Sequence, residues 1–324
     1  MKRNKICQLF AAAFVGLAVA CANHSPVAAE VAVQTGDAPA RRAGEVAVSP
    51  AGIHLAWIPA GTFTMGSPES EIGRWDNEGP QRQVTISEGF WMGVHPVTQE
   101  QWEQVMGSNP SYFQTNPAAG EAQGRRPVET VSWFDVLVFA NLLSKSEGLR
   151  PAYMINGSTD PANWGEVPAS AASENLAEWN AVQVVPGSDG WRLPTEAQRE
   201  FAARAGTTAA FSNGAGDWQN QSEIEGIGWF GFNSGGMTRE VGLKQPNPWG
   251  LHDIHGNVLE WAWDWFGEYP NLAETDPAGA SSGAFRVIHG GSWFNSAEFA
   301  RSASRFAANP SVRNDLLGLR IIRP

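Results

Sequence analysis

The chain has 324 residues, a formal net charge of −11 and a sequence pI near 5.0. An acidic chain without a basic stripe excludes nucleic acid as a partner, because phosphate contacts need clustered Lys and Arg. Its two cysteines, Cys7 and Cys21, lie in or at the edge of an N-terminal leader. The rest of the chain therefore has no thiol for disulfide, zinc–thiolate or nucleophilic chemistry.

The leader reads as an export signal. Lys2, Arg3 and Lys5 precede the uncharged apolar run from Ile6 to Ala20, and the run falls short of the roughly twenty residues of a membrane span. Ala18-Val19-Ala20-Cys21 resembles a lipoprotein box with Ala18 where leucine is usual, and Val27-Ala28-Ala29 offers a cut that releases a soluble chain. Residues 1–29 are expected to be a signal peptide, with an alternative lipoprotein signal ending before Cys21. The product is expected in the periplasm or, alternatively, lipid-anchored in the envelope, touching membrane only through Cys21. Residues 30–50, rich in Ala, Val, Pro and Ser, are expected to be a flexible linker, and residues 51–324 a single domain.

Within that domain, 54–59 and 61–66 predict two short strands joined by a turn, and Gln83 to Ile86 alternates as a half-buried strand does. Three helices are marked. Thr98 caps one that carries Trp102, Val105 and Met106 on one face; Ser132 and Asp135 stand at capping-box spacing before a second; a third runs between Pro194 and Gly206. The remainder, rich in Gly, Pro and Trp, reads as loops and short strands.

Eight segments then stand in a telling order: Phe63-Thr64-Met65-Gly66-Ser67, Val94-His95-Pro96-Val97-Thr98, Pro127 to Trp133, Trp191-Arg192-Leu193-Pro194-Thr195-Glu196-Ala197, Asn247 to Leu251, Gly256-Asn257-Val258-Leu259-Glu260-Trp261, Gly290-Gly291-Ser292-Trp293 and Gly318-Leu319-Arg320. On these the chain resembles the formylglycine-generating enzyme (sulfatase-modifying factor) family. The resemblance implies an α+β fold, the family's variant of the C-type lectin fold, with little regular structure around a central twisted antiparallel sheet.

The resemblance places a structural calcium ion on Gly256, Asn257, Val258 and Glu260, and hard oxygen donors of that kind suit calcium. It also places a substrate pocket at Trp261, Ser292, Trp293 and Asn295. Trp261, Trp263 and Trp265 alternate on one strand face, where they read as core as readily as pocket wall. In the copper-using members two cysteines follow the Gly-Gly-Ser turn and hold copper(I). Here those positions are Asn295 and Ala300, which offer no soft donor, so formylglycine generation is not expected and no catalytic residue can be named.

His252 and His255 read as packing beside the turn. Arg301, Arg305, Arg313, Arg320 and Arg323 are expected to pair with internal carboxylates or backbone carbonyls, the alternative being contact with an anionic group on a substrate. Cysteine-free relatives of the family suggest an oxidative or maturation factor for a peptide or peptide-derived substrate, as in siderophore maturation or support of a periplasmic metalloenzyme. The alternatives are a C-type-lectin-like binding module, with Phe294, Asn295, Ser296, Glu298, Asn309 and Asn314 facing the ligand, or a structural envelope lipoprotein. The expected partner is a peptide, a peptide-derived small molecule or a periplasmic protein.

Overall fold

The computed structural model describes residues 41–324, and its regular elements are short and dispersed. In chain order they are β1 (Val46–Val48), β2 (His54–Ile58), β3 (Gly61–Met65), β4 (Arg82–Ile86), β5 (Phe90–Gly93), α1 (Gln99–Met106), α2 (Trp133–Ser146), β6 (Tyr153–Met154), α3 (Leu176–Asn180), β7 (Gln183–Val184), α4 (Glu196–Arg204), α5 (Gln221–Ile224), β8 (Leu259–Trp265), β9 (Glu274–Thr275), β10 (Arg286–His289), β11 (Arg305–Ala308), β12 (Leu317–Gly318) and β13 (Ile322–Arg323). The expected signal peptide, both cysteines and the first part of the expected linker lie outside the described residues.

The expected helices form where their caps stand. Thr98, Ser132 and Thr195 each accept a backbone N–H three residues on, and Gln101, Asp135 and Gln198 close the three capping boxes. Asp rather than Glu serves in the second box. Pro194 precedes the third cap, and the helix stops at Ala205 with φ +45°.

The strands divide the sheet that the sequence led us to expect. Two four-stranded sheets run β1-β2-β5-β13 and β11-β10-β8-β12, beside a three-stranded sheet β3-β4-β9 and the pair β6-β7. Most pairs are antiparallel; β12 runs parallel to β8 and β9 to β4. The strands at 54–58 and 61–65 do not pair with each other: β2 joins β5, and β3 joins β4. The fold also starts inside the expected linker. Val46, Ala47 and Val48 pair with Ala56, Leu55 and His54, because alternating Val-Ala-Val suits an edge strand once a partner is present.

The largest core lies between α2 and the β8–β10 sheet, where Trp133, Phe134, Trp179, Trp191 and Trp261 are buried. Aromatic pairs join it, including Tyr153 stacked on Trp263 at 5.2 Å and Trp102 on Phe139 at 4.8 Å. Ion pairs hold the loops between, buried at Arg301, Arg305 and Arg320 and half-buried at Arg313 and Arg323. Arg301 reaches Glu78 and Glu71, Arg305 reaches Glu196, Arg320 reaches Glu260, Arg313 reaches Asp135, and Arg323 lies 3.9 Å from Glu147. All five C-terminal arginines thus meet internal carboxylates.

Candidate functional site

β10 delivers the chain into the turn Gly290-Gly291, where both residues have positive φ, +98° and +67°. Neither position has room for a side chain. A Cβ on Gly290 would sit 2.5 Å from Nη2 of Arg199, and one on Gly291 would sit 2.8 Å from Cβ of Ala300. Beyond the turn the loop is fastened from three sides. The Trp293 N–H donates to Asn257 O at 2.8 Å, the Gly231 N–H donates to Asn295 O at 2.9 Å, and Trp293 Nε1 donates to Asp315 O at 2.9 Å.

The two positions that the resemblance matches to a cysteine pair have structural duties here. Asn295 Oδ1 accepts the Ser292 hydroxyl at 2.7 Å, and Ala300 is buried against Gly291. Ser292 is fully buried and its oxygen also accepts the Phe294 N–H. Ser292 and Asn295 therefore brace the loop from behind.

Trp261 is corrected from pocket wall to core. It is 0% exposed, and its Nε1 donates to Val131 O at 3.0 Å, deep under α2. Of the expected substrate set, Trp293 and Asn295 are half-buried and Trp261 and Ser292 are sealed; Trp293 alone presents a ring at the surface. There it joins an edge-to-face chain of aromatics: Tyr112 on Phe113 at 5.0 Å, Phe113 on Trp293 at 5.1 Å, and Trp293 on Phe294 at 5.5 Å. Tyr112 is 72% exposed and Phe294 is 66% exposed. Beside Phe294 opens a concavity of about 430 Å³ whose walls include Trp218, Phe232, Ser296 and Gln221.

Glu129 sets the far end of this aromatic face. Its carboxylate accepts the N–H groups of Tyr112 and Phe113 at 3.0 and 2.9 Å, while burial pushes its pKa up against those bonds. Arg126 lies over the Phe113 ring at 5.0 Å. Of the residues expected to face a ligand, Phe294, Ser296 and Asn314 are exposed, whereas Asn295, Glu298 and Asn309 are half-buried. Tyr112, Phe113, Trp218 and Phe232 were not singled out by the sequence, since no motif links them and only the fold brings them together.

The residues expected to hold calcium do not fit it. Both Glu260 oxygens accept guanidinium protons, from Arg199 Nε at 3.0 Å and Arg320 Nε at 2.9 Å. The Asn257 side chain is bonded to Arg239 N and O, and Gly256 O accepts the Val258 N–H. Val258 is buried against Gly318. A divalent ion at Glu260 would face two fixed positive charges and an already saturated carboxylate.

The neighbouring histidines are committed as well. His252 Nδ1 lies 2.7 Å from Lys244 O, and His255 Nδ1 lies 2.7 Å from Ala300 O, so these rings serve the backbone rather than a shared centre.

The model of the sulfatase-modifying factor enzyme 1-like domain matches residues 43–324. This chain belongs to that family. Among family relatives, a chaperone protein, LppX, of Paenibacillus barcinonensis is 34% identical over 258 residues, covering 75% of this chain and 82% of the relative. The formylglycine-generating enzyme of Mus musculus is 30% identical over 291 residues, covering 81% and 73%. The solved structure of Treponema denticola variable protein 1 superposes with a TM-score of 0.75 at 36% identity, over 84% of this chain and 95% of that one. The family match begins at residue 43, in keeping with β1 as part of the domain. With these likenesses the α+β formylglycine-generating-enzyme-like fold stands, and this is a divergent member with Asn295 and Ala300 in place of the cysteine pair.

Proposed function

We propose that this protein is an exported accessory factor that holds a peptide or peptide-derived substrate on the Phe294 face. It assists that substrate's maturation by binding it, without the thiolate–copper reaction. The observation that carries the reading is the exposure of Phe294 at the end of an aromatic chain that borders a concavity. Exposed contiguous aromatics are costly on a soluble surface and mark contact sites; rigid rings bind apolar side chains with little loss of freedom. Similarity to a protein named as a chaperone supports a substrate that is itself a polypeptide. The basic, then apolar, leader supports export. Between Ser292 and Ala300 the loop supplies Ser, Asn and Glu side chains but no thiolate, so binding has more support here than oxidation.

The test is calorimetric titration with short peptides, each carrying one aromatic or aliphatic residue in a Gly/Ser background. Aromatic peptides should bind, and Phe294→Ala should weaken them about tenfold. Equal affinity for the variant, or no peptide bound, would sink the reading. Mass analysis of the recovered peptide separates holding from chemical change.

A further inference from the structure

A second pocket, sharing no lining residue with the Phe294 concavity, lies between β5, the β6–β7 pair, the start of α4 and β8. It has a volume of about 380 Å³, within the range of small-molecule sites. One wall is the half-buried Trp263, backed by the parallel ring of Tyr153 at 5.2 Å and 13°. Another is the half-buried guanidinium of Arg192.

Arg192 lacks the carboxylate partner that holds the arginines of the ion-pair network. Arg199, Arg301, Arg305 and Arg320 each face a carboxylate within 3.0 Å. Arg192 instead spends Nη1 on neutral acceptors, Leu193 O at 3.1 Å and Gln198 Oε1 at 3.0 Å. Its Nε and Nη2 have no acceptor among the described residues. Those two groups form the side-on fork that matches a carboxylate. Neither nearby acid is hydrogen-bonded to it: Asp276 is turned to the Ser87 N–H and hydroxyl, and Asp264, held towards its neutral form by burial and by Glu196, accepts the Glu196 N–H. Neither Nε nor Nη2 of Arg192 is among the buried side-chain atoms left without a partner, so the fork stays open to the pocket, where a carboxylate would gain two charge-assisted hydrogen bonds. Two more donors line the same wall unused among the described residues, the Gln198 amide Nε2 and the Thr195 hydroxyl, whose oxygen accepts the Gln198 N–H.

We propose that this pocket binds a small monocarboxylate with a planar ring, its carboxylate on the Nε–Nη2 fork of Arg192 and its ring against Trp263. Glu88 and Asp276 at the rim disfavour a second negative charge, which selects a monoanion over a dicarboxylate or phosphate ester. The proposal is independent of the Phe294 face and of what binds there.

The experiment titrates the purified protein calorimetrically with benzoate and indole-3-carboxylate, and with benzamide and indole-3-carboxamide as neutral matches. The acids should bind at least about tenfold more tightly than the amides, and Arg192→Gln should erase that difference. Because Arg192 bonds its own loop, a second variant guards against misfolding. Gln198→Glu keeps a capping-box residue at that position and places an internal carboxylate beside Arg192, so acid binding should fall about tenfold with the thermal midpoint unchanged. Phe294→Ala should leave acid binding as it is. Equal binding of acids and amides, no binding by either acid, or full acid binding by Gln198→Glu would each overturn the proposal.

Discussion

Arg199 donates from Nε to Oε2 of Glu260 across 3.0 Å, with both side chains almost wholly out of solvent. Burial works against the Glu260 charge, but Arg320 and then Arg199 hold its carboxyl below the usual range. The pair thus does at this turn what an ion was expected to do, joining α4 to the start of β8 and to the C-terminal segment. EDTA and added calcium should leave the thermal midpoint where it is. Arg199→Met should cost about 3 kcal/mol in urea denaturation, because Glu260 stays buried with only Arg320 opposite it. A midpoint that climbs with calcium would restore the metal site and remove this account.

The Gly290-Gly291 turn offers a way to separate backbone conformation from packing. Gly250 and Gly291 both have positive φ, +79° and +67°, but a Cβ at Gly250 meets nothing within 4 Å, while one at Gly291 meets Ala300 at 2.8 Å. Gly250→Ala should therefore cost about 1 kcal/mol, the conformational part alone. Gly291→Ala should cost about 3 kcal/mol, as overpacking adds to it. Chemical denaturation of the two variants side by side gives the comparison. Equal losses would mean that the loop yields and that Ala300 is not fixed against the turn.

The capped helices, the strand at 82–86 and the fold family were legible because each rests on local chemistry: a cap oxygen, a short alternation, an ordered set of motifs. The partners of Glu260 were not. A carboxylate after a Gly-Asn turn reads equally as an ion's ligand or an arginine's, and Arg199 lies 61 residues away. Trp261 and Trp263 share a strand alternation, yet one is sealed under α2 and the other borders a pocket, since what covers each is set by α2 and by the β6 segment. The aromatic face was invisible for the same reason. Tyr112, Phe232 and Phe294 come from three loops with no common spacing.

His255 ties that loop to acid stability. Its Nδ1 bonds Ala300 O at 2.7 Å, so Nε2 is the acceptor for the Ser212 hydroxyl at 3.0 Å and the Ser212 N–H at 3.2 Å. Burial pushes its pKa down to about 4, and Arg199 and Arg204 act in the same direction. Free of the fold it would titrate near 6.5. Between those values the unfolded chain takes up a proton that the folded chain refuses, so stability is full above pH 6.5 and falls as the pH drops towards 4. His95, also held at about 4 mainly by burial, adds to the loss in the same window. Each group can contribute at most about 1.4 kcal/mol per pH unit. Asp264, whose pKa is raised, slopes the other way, but it does so equally in wild type and variant and cancels in their difference. Urea denaturation of wild type and His255→Gln between pH 6.5 and 5 isolates the term. The variant should start less stable at pH 6.5 and lose about 1 kcal/mol less per pH unit than wild type on the way down. Parallel pH profiles for the two proteins would show that His255 carries its second proton in the fold, with Nδ1 still donating to Ala300 O and Nε2 donating to the Ser212 hydroxyl instead of accepting from it.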